Sequence, residues 1–378
     1  MIKTFSFFLL FSLMHHSSFA QPPCNDDIIM NIKGKWVKRP DANIKAGNQS
    51  LVTSRIDKMQ QLLQAAYPEP KGIEAAWYRS VESNNSNKNG AATYSLNALF
   101  KAYYCNTYLK KLLLGDETGT WFYVWANKFA WFAKEYEKFP VENKPAYLLT
   151  QKTGELNGFP LYAGNDNVTS NTGTRFSKTI LIARQGQLPY TAVTHKQYLI
   201  AFLKWKEDFE KKYVDATTRT VIWSDAEEEA DKQKQLEKAE KSARPNEADQ
   251  ERAKNNFLRN YVTAKQRKQN EITSIETQYQ QDIKPAKDYL ANTSEEELAK
   301  PAYIGSGSYS IYFKNFANES EGNMMVQVNE SYFNNKLPAY VPQFLVVYWE
   351  WDAKKASIDF ANHIDNFNFK ALKEMIDK

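Results

Sequence analysis

The sequence predicts an α+β fold in which antiparallel sheets pack against helices and a helical hairpin projects from them. Three observations predict it. A helical pattern near residue 54 is followed by long strand-like runs with turn-rich segments between them. A central stretch, residues 194–300, carries helix caps and helical spacing, and strand-like runs return after it.

Residues 1–20 have the pattern of a secretory signal peptide. A basic residue precedes the apolar stretch 5–14, and small residues stand three before and immediately before a cleavage site after Ala20. The apolar stretch is too short to span a bilayer as a helix. We therefore expect an exported protein, periplasmic or secreted, that begins at Gln21 and has no integral membrane span. An uncleaved membrane anchor is the alternative.

Few residues of the expected mature chain suit metal binding or nucleophilic catalysis. Its histidines are His195 and His363, and these with two scattered cysteines match no zinc-ligand spacing. The sequence has no Walker A loop, no dinucleotide-binding glycine motif, no G-x-S-x-G and no H-E-x-x-H. Basic residues are distributed rather than clustered. We therefore expect no metal, no cofactor and no nucleic-acid partner.

Cys24 and Cys105 are the two cysteines of the chain. An oxidising compartment favours a disulfide between them, which would close a loop of about 80 residues and contribute about 4 kcal/mol. The alternative is that Cys105 is a buried thiol.

A first sheet domain is expected over residues 21–193. Its helix covers residues 54–66, where Ile56 and Met59 belong to an apolar face with helical spacing, and Pro68 opens the turn that ends it. Strand-like runs follow at 73–81, 93–105, 120–132 and 175–184.

Residues 194–300 are expected to form a helical segment with hairpin or coiled-coil character. Thr194 and Ser224 each begin a capping box. The first helix has an apolar stripe interrupted by Lys206 and is expected to end near Val214.

Two further helices of that segment are expected to pair with each other. One covers 225–243 and carries almost no large apolar side chain, and the other follows a turn at 244–246 and continues to about Ile283. Their pairing would form a projecting hairpin suited to contact with a protein partner.

The C-terminal part, residues 301–378, is expected to return to strands. The predicted strands are 302–316, 323–328 and 341–352, with a helix over 369–378. These strands either rejoin the first sheet or build a second one, and the sequence leaves both arrangements open.

Trp121, Tyr123 and Trp125 are the candidate ligand-binding residues. Strand alternation places the three rings on one face of the sheet, where they could stack on a glycan or another flat ligand. The alternative is that the rings fill one core while Phe122 and Val124 fill another.

His195, Glu350 and Asp352 are the candidate catalytic residues. Alternation places Glu350 and Asp352 about 7 Å apart on one face, a spacing compatible with paired acid and base. His195, at the first helical position, could act as a neutral base. The alternatives are that the two acids face solvent and that His195 is a solvent-exposed residue of the first turn.

Three segments resemble exported hypothetical proteins of Bacteroidota-type bacteria. They are Phe19-Ala20-Gln21, the segment from Leu188-Pro189-Tyr190 to Tyr198-Leu199, and Leu337-Pro338 through Pro342-Gln343-Phe344. The resemblance implies a Gram-negative envelope location and no assigned activity. We therefore expect a binding or scaffolding protein of the envelope, with a hydrolase that uses His195 or the Glu350/Asp352 pair as the alternative.

Overall fold

The described part of the chain forms two sheets with helices on their outer faces, and the predicted α+β class is confirmed. A computed structural model describes residues 25–44, 49–82, 90–106, 108–109, 111–116, 119–129, 132–164, 169–170, 173–220, 224–243, 246–305 and 312–378.

The helices within these ranges are α1 (Asp26–Met30), α2 (Gln49–Ala66), α3 (His195–Arg219), α4 (Asp225–Ser242), α5 (Glu247–Asn260), α6 (Ala264–Asn292), α7 (Glu295–Leu298), α8 (Lys355–Ile364) and α9 (Phe369–Lys373). The strands are β1 (Trp36–Lys38), β2 (Ile73–Val81), β3 (Tyr94–Asn106), β4 (Lys111–Leu114), β5 (Trp121–Ala126), β6 (Ala133–Glu135), β7 (Tyr147–Leu149), β8 (Lys152–Leu156), β9 (Phe159–Ala163), β10 (Thr169–Ser170), β11 (Gly173–Ile182), β12 (Tyr190–Ala192), β13 (Tyr303–Gly305), β14 (Gly322–Val328) and β15 (Leu345–Asp352).

The main sheet contains ten of the described strands, in the order β1-β2-β3-β5-β15-β11-β9-β8, with β4 on β3 and β10 on β11. Its pairs are antiparallel except β1 with β2. The C-terminal strand β15 lies between β5 and β11, so this part of the chain does rejoin the first sheet.

The second sheet has the order β12-β14-β7-β6, with β13 on β14. Strands β13 and β14 come from the C-terminal part, whereas β6, β7 and β12 come from the part before the helical segment. The C-terminal residues therefore contribute to both sheets, and the two arrangements that the sequence left open are both present.

The described elements stack in four layers around three apolar cores. Helices α2, α8 and α9 cover one face of the main sheet around residues such as Phe122. The second sheet covers part of the other face. Leu149 and Val326 point into the core between the sheets, whereas their neighbours Leu148 and Met325 point into the core beneath α3 and α6.

Helices α3 to α6, residues 195–292, form what we call the helical arm. Helix α3 packs antiparallel to α6, and α4 packs on α5. The predicted pairing of the helix over 225–243 with the helix after the turn is therefore confirmed for α5 and wrong for α6. The predicted third helix is divided at 261–263, where Thr263 caps α6, and α6 pairs with the first helix of the segment.

Two predicted helix ends were also wrong. Helix α3 continues past Val214 to Arg219, and α6 continues through Pro285 to Asn292. A proline inside a helix removes one backbone hydrogen bond. Ile283 and Ala286, on either side of Pro285, are buried, and this apolar packing favours the continuation of the helix.

The predicted strand 302–316 is present as β13 over Tyr303–Gly305 and is wrong over 312–316. Residues 306–311 lie outside the described ranges, and 312–318 form no strand. Phe313 and Phe316 instead pack with Tyr198 at the base of the helical arm. This aromatic packing replaces strand pairing.

Candidate functional site

Trp121, Tyr123 and Trp125 lie on one face of the main sheet, on β5 between β3 and β15. Ring centroids are 5.8 Å apart for Trp121 and Tyr123, with planes within 6°, and 6.2 Å apart for Tyr123 and Trp125. Trp125 is buried against the second sheet, whereas Trp121 and Tyr123 are half-buried. The row therefore begins in a core and continues out of it.

Polar groups surround the half-buried end of this row. Tyr348, directly across from Tyr123, donates its hydroxyl to a Glu350 carboxylate oxygen at 2.8 Å. Burial raises the pKa of Tyr123 well above its ordinary value, and the nearby Glu350 and Tyr78 add to the shift. The Tyr123 hydroxyl is therefore neutral and able to donate a hydrogen bond at physiological pH.

Asp352 is the last residue of β15 and bonds to the start of α8. Its side chain accepts a hydrogen bond from the Lys354 amide at 3.1 Å and is bonded by Ser357. Glu350 is held by Tyr348, so the two carboxylates of the predicted acid pair are bound to different parts of the fold. Asp352 therefore links the end of β15 to the first turn of α8.

The expectation that His195 is exposed to solvent was wrong, because it is only 6 % exposed. Its ring lies parallel to Phe316 with centroids 3.8 Å apart, and Nδ1 is 3.3 Å from the Tyr289 hydroxyl. Burial lowers the pKa of His195, although Glu297 acts in the opposite direction. The histidine is therefore a packed, neutral residue at the base of the helical arm.

Cys105 lies near the end of β3, where it pairs with Leu112 of β4. Cys24 is outside the described residues, so the disulfide stays a prediction. Asn25, the next residue along the chain, and Cys105 line the same cavity of about 510 Å³. This proximity is compatible with the predicted bond.

An ion pair joins the two long helices of the arm. Lys206 on α3 donates to Asp282 Oδ2 on α6 at 2.7 Å, and Gln278 donates to Asp282 Oδ1 at 2.8 Å. Both charged side chains are almost completely buried. The ammonium group also lies 5.1 Å from the ring of Tyr312.

A pocket of about 300 Å³ opens beside this ion pair, and we call it the arm pocket. It is lined by Lys206, Phe209, Glu210, Tyr213, Ser274, Ile275, Gln278, Tyr279, Asp282 and Tyr312. Tyr213 is 52 % exposed, and its ring centroid is 4.5 Å from that of Phe209. The pocket thus combines aromatic walls with a buried ionic floor.

Sequence reasoning missed the ion pair and the pocket, but one signal for them was present. Lys206 interrupts the apolar stripe of α3, and a lysine on a buried helix face needs a partner. Nothing in the sequence identifies Asp282, which follows 76 residues later, as that partner.

No helix in the described ranges combines the length and the hydrophobicity that a membrane span requires. In the same ranges, no group of three or more His, Cys, Asp or Glu side chains could hold a metal ion.

Comparisons with known proteins give no relative for this chain: no family model, curated protein or solved structure matches it.

Proposed function

We propose that the protein is an exported binding or scaffolding protein of the bacterial envelope, and that its helical arm contacts a protein partner. The observation that supports this role is the change in burial along the arm. Most buried residues of α3 lie between His195 and Lys206, and those of α6 lie between Asp282 and Ala286. The base of the arm is therefore packed on the second sheet, whereas its outer part is exposed.

The outer part has the length and composition of a contact surface. Helix α6 has 29 residues, which corresponds to about 43 Å of helix. Phe209 and Tyr213 on α3 and Leu258 on α5 are large exposed hydrophobic residues. Aromatic residues are enriched in protein interfaces, and this favours a protein partner for the arm.

Export is supported by the sequence pattern of residues 1–20, which lie outside the described part of the chain. The resemblance to exported Bacteroidota-type proteins favours the same location.

A hydrolase is less well supported by the geometry. His195 is buried, and Glu350 and Asp352 are held by separate hydrogen bonds. The half-buried rings of Trp121 and Tyr123 are better suited to hold a small flat ligand or glycan than to catalyse a reaction.

Two deletions test the role of the arm in the native envelope. The shaft deletion removes residues 207–281 and joins Lys206 to Asp282 by a short Gly-Ser linker, which is possible because these side chains are in contact. The tip deletion joins Thr220 to Thr263. Lys268, five residues after Thr263, donates its Nζ to the Thr220 carbonyl at 2.9 Å, so α3 ends beside the first turns of α6 and a Gly-Ser linker can bridge the two residues.

Crosslinking followed by mass spectrometry should recover a partner with the full-length chain and not with the shaft deletion. Circular dichroism and tryptophan fluorescence would establish that the deleted chains keep the two sheets. The tip deletion shows whether α4 and α5 take part. Full recovery of every partner by a folded shaft deletion would mean that the arm has no partner-binding role.

A further inference from the structure

The arm pocket has an excess of negative charge, because three glutamates in and around it have no basic partner within the described ranges. Lys206 and Asp282 form a neutral pair at its floor. Glu210 lines the pocket, and Glu207 and Glu276 lie close enough to repel the carboxylate of Glu210. In the described ranges, none of these three glutamates forms an ion pair.

This charge acts on Glu210. Burial raises the pKa of Glu210, and repulsion from Glu276 and Glu207 raises it further. The same carboxylates, Glu210 and Glu207, add to the burial that raises the pKa of Tyr279. A positive charge brought to Glu210 would relieve this repulsion.

The aromatic walls of the pocket favour a guanidinium group over other cations. Aromatic faces attract cations, and a guanidinium group also stacks on rings and binds a carboxylate with two parallel hydrogen bonds. A volume of about 300 Å³ lies at the small end of ligand pockets, which suits one long side chain better than a large cofactor.

We propose that the arm pocket receives an arginine side chain of a partner protein, with its apolar stem against Phe209 and Tyr213 and its guanidinium group on Glu210. This inference rests on the proposed role of the arm. It goes further because it names the pocket and the chemistry of the residue that enters it. Lys206 does not repel the guest, since Asp282 already compensates its charge at 2.7 Å.

A direct test uses N-acetyl-arginine amide as the probe and N-acetyl-citrulline amide as its uncharged counterpart. The full mature chain is labelled at isoleucine methyl groups, and the signal of Ile275, which lines the pocket, is assigned with Ile275→Val. The methyl signal should shift saturably with the arginine probe and should respond at least about tenfold more weakly to citrulline.

Three variants accompany the titration. Glu210→Gln should weaken binding of the arginine probe by about tenfold, because it removes the charge that the guanidinium group contacts. Tyr213→Ala should also weaken it, and because Tyr213 is 52 % exposed, this change should leave the fold intact. Glu237→Gln, on the exposed surface of α4, is the matched control and should change nothing.

Three results would overturn the inference: no saturable shift of Ile275, equal binding of the two probes, or unchanged binding by Glu210→Gln. Sedimentation of the same samples tests whether the occupant of the pocket is a second copy of the chain. A dimer that Glu210→Gln dissociates would show that a second copy fills the pocket.

Crosslinking in the envelope separates this inference from the proposed function. If the shaft deletion loses the partner and Glu210→Gln keeps it at full yield, the pocket inference fails and the role of the arm stands. If both lose it, both are supported. If both keep it, the role of the arm fails as well.

Discussion

Lys206 on α3 and Asp282 on α6 form an ion pair with an N–O distance of 2.7 Å, in which both side chains are less than a tenth exposed. The pair lies where the arm leaves the core beneath the second sheet. Because two charges in such a place are costly to desolvate, we expect the pair to contribute more to the alignment of the two helices than to net stability.

Asp282→Asn should destabilise the protein by about 3–5 kcal/mol, because it leaves the buried Lys206 ammonium without a counter-charge. Urea unfolding monitored by tryptophan fluorescence measures this change. The double variant Lys206→Met with Asp282→Leu should recover most of the loss.

The exposed pair Lys284 and Asp288 on the same helix is the control for that measurement. Asp288→Asn should cost less than about 1 kcal/mol, since water screens exposed ion pairs. Equal losses for Asp282→Asn and Asp288→Asn would show that burial does not set the cost at Asp282.

Arg184 holds the C-terminal residues of the chain on the main sheet. Its guanidinium group donates to both Asp377 carboxylate oxygens, at 2.7 and 2.6 Å, and also to the Tyr332 carbonyl and Gln343. Arg184→Lys loses the bidentate geometry and should cost about 1–2 kcal/mol in urea unfolding. Arg259→Lys on the exposed helix α5 is the matched control, and a loss no larger than that of the control would contradict the prediction.

Local signals in the sequence predicted the central strands well. The predicted strand 73–81 matches β2 residue for residue, and 93–105 differs from β3 by one residue at each end. The predicted strand 120–132 was too long because Asn127, with a φ of 57°, ends it. The Asn127 side chain then bonds the carbonyls of Ala92 and Val341, a tertiary contact that no local pattern reveals.

The helical arm shows why helix pairing is harder to predict. The β-branched residues from Thr217 onwards indicated an end near Val214, yet α3 continues to Arg219. Lys268 of α6 donates to the carbonyls of Thr218 and Thr220, so the end of α3 depends on its partner helix. For the same reason, the arm pocket could not be predicted, since its lining comes from two helices and from Tyr312.

The predicted disulfide between Cys24 and Cys105 should be present in the mature protein isolated without reductant. Mass spectrometry of a non-reduced digest would identify the linked peptides, and the same digest after reduction is the control. Cys105→Ser should cost about 4 kcal/mol, because the bond restricts a loop of about 80 residues in the unfolded chain. Two free thiols in the oxidised sample would exclude the bond.

His195 should make the stability of the protein depend on pH in the weakly acidic range. Burial lowers its pKa in the folded state, whereas the unfolded chain has the ordinary value of about 6.5. As pH falls below about 6.5, the unfolded state binds a proton that the folded state does not. The free energy of unfolding should therefore decrease as the pH falls from about 6.5 towards the pKa of His195 in the folded state. The decrease is at most about 1.4 kcal/mol per pH unit.

Urea unfolding at several pH values between about 7.5 and 5 measures this slope. His195→Gln should reduce the loss of stability on acidification, because the residue that takes up the proton is gone. His363→Gln, which replaces the other histidine of the described ranges and leaves His195 in place, is the comparison variant. The prediction fails if His195→Gln keeps the wild-type slope, since the proton uptake would then belong to another group.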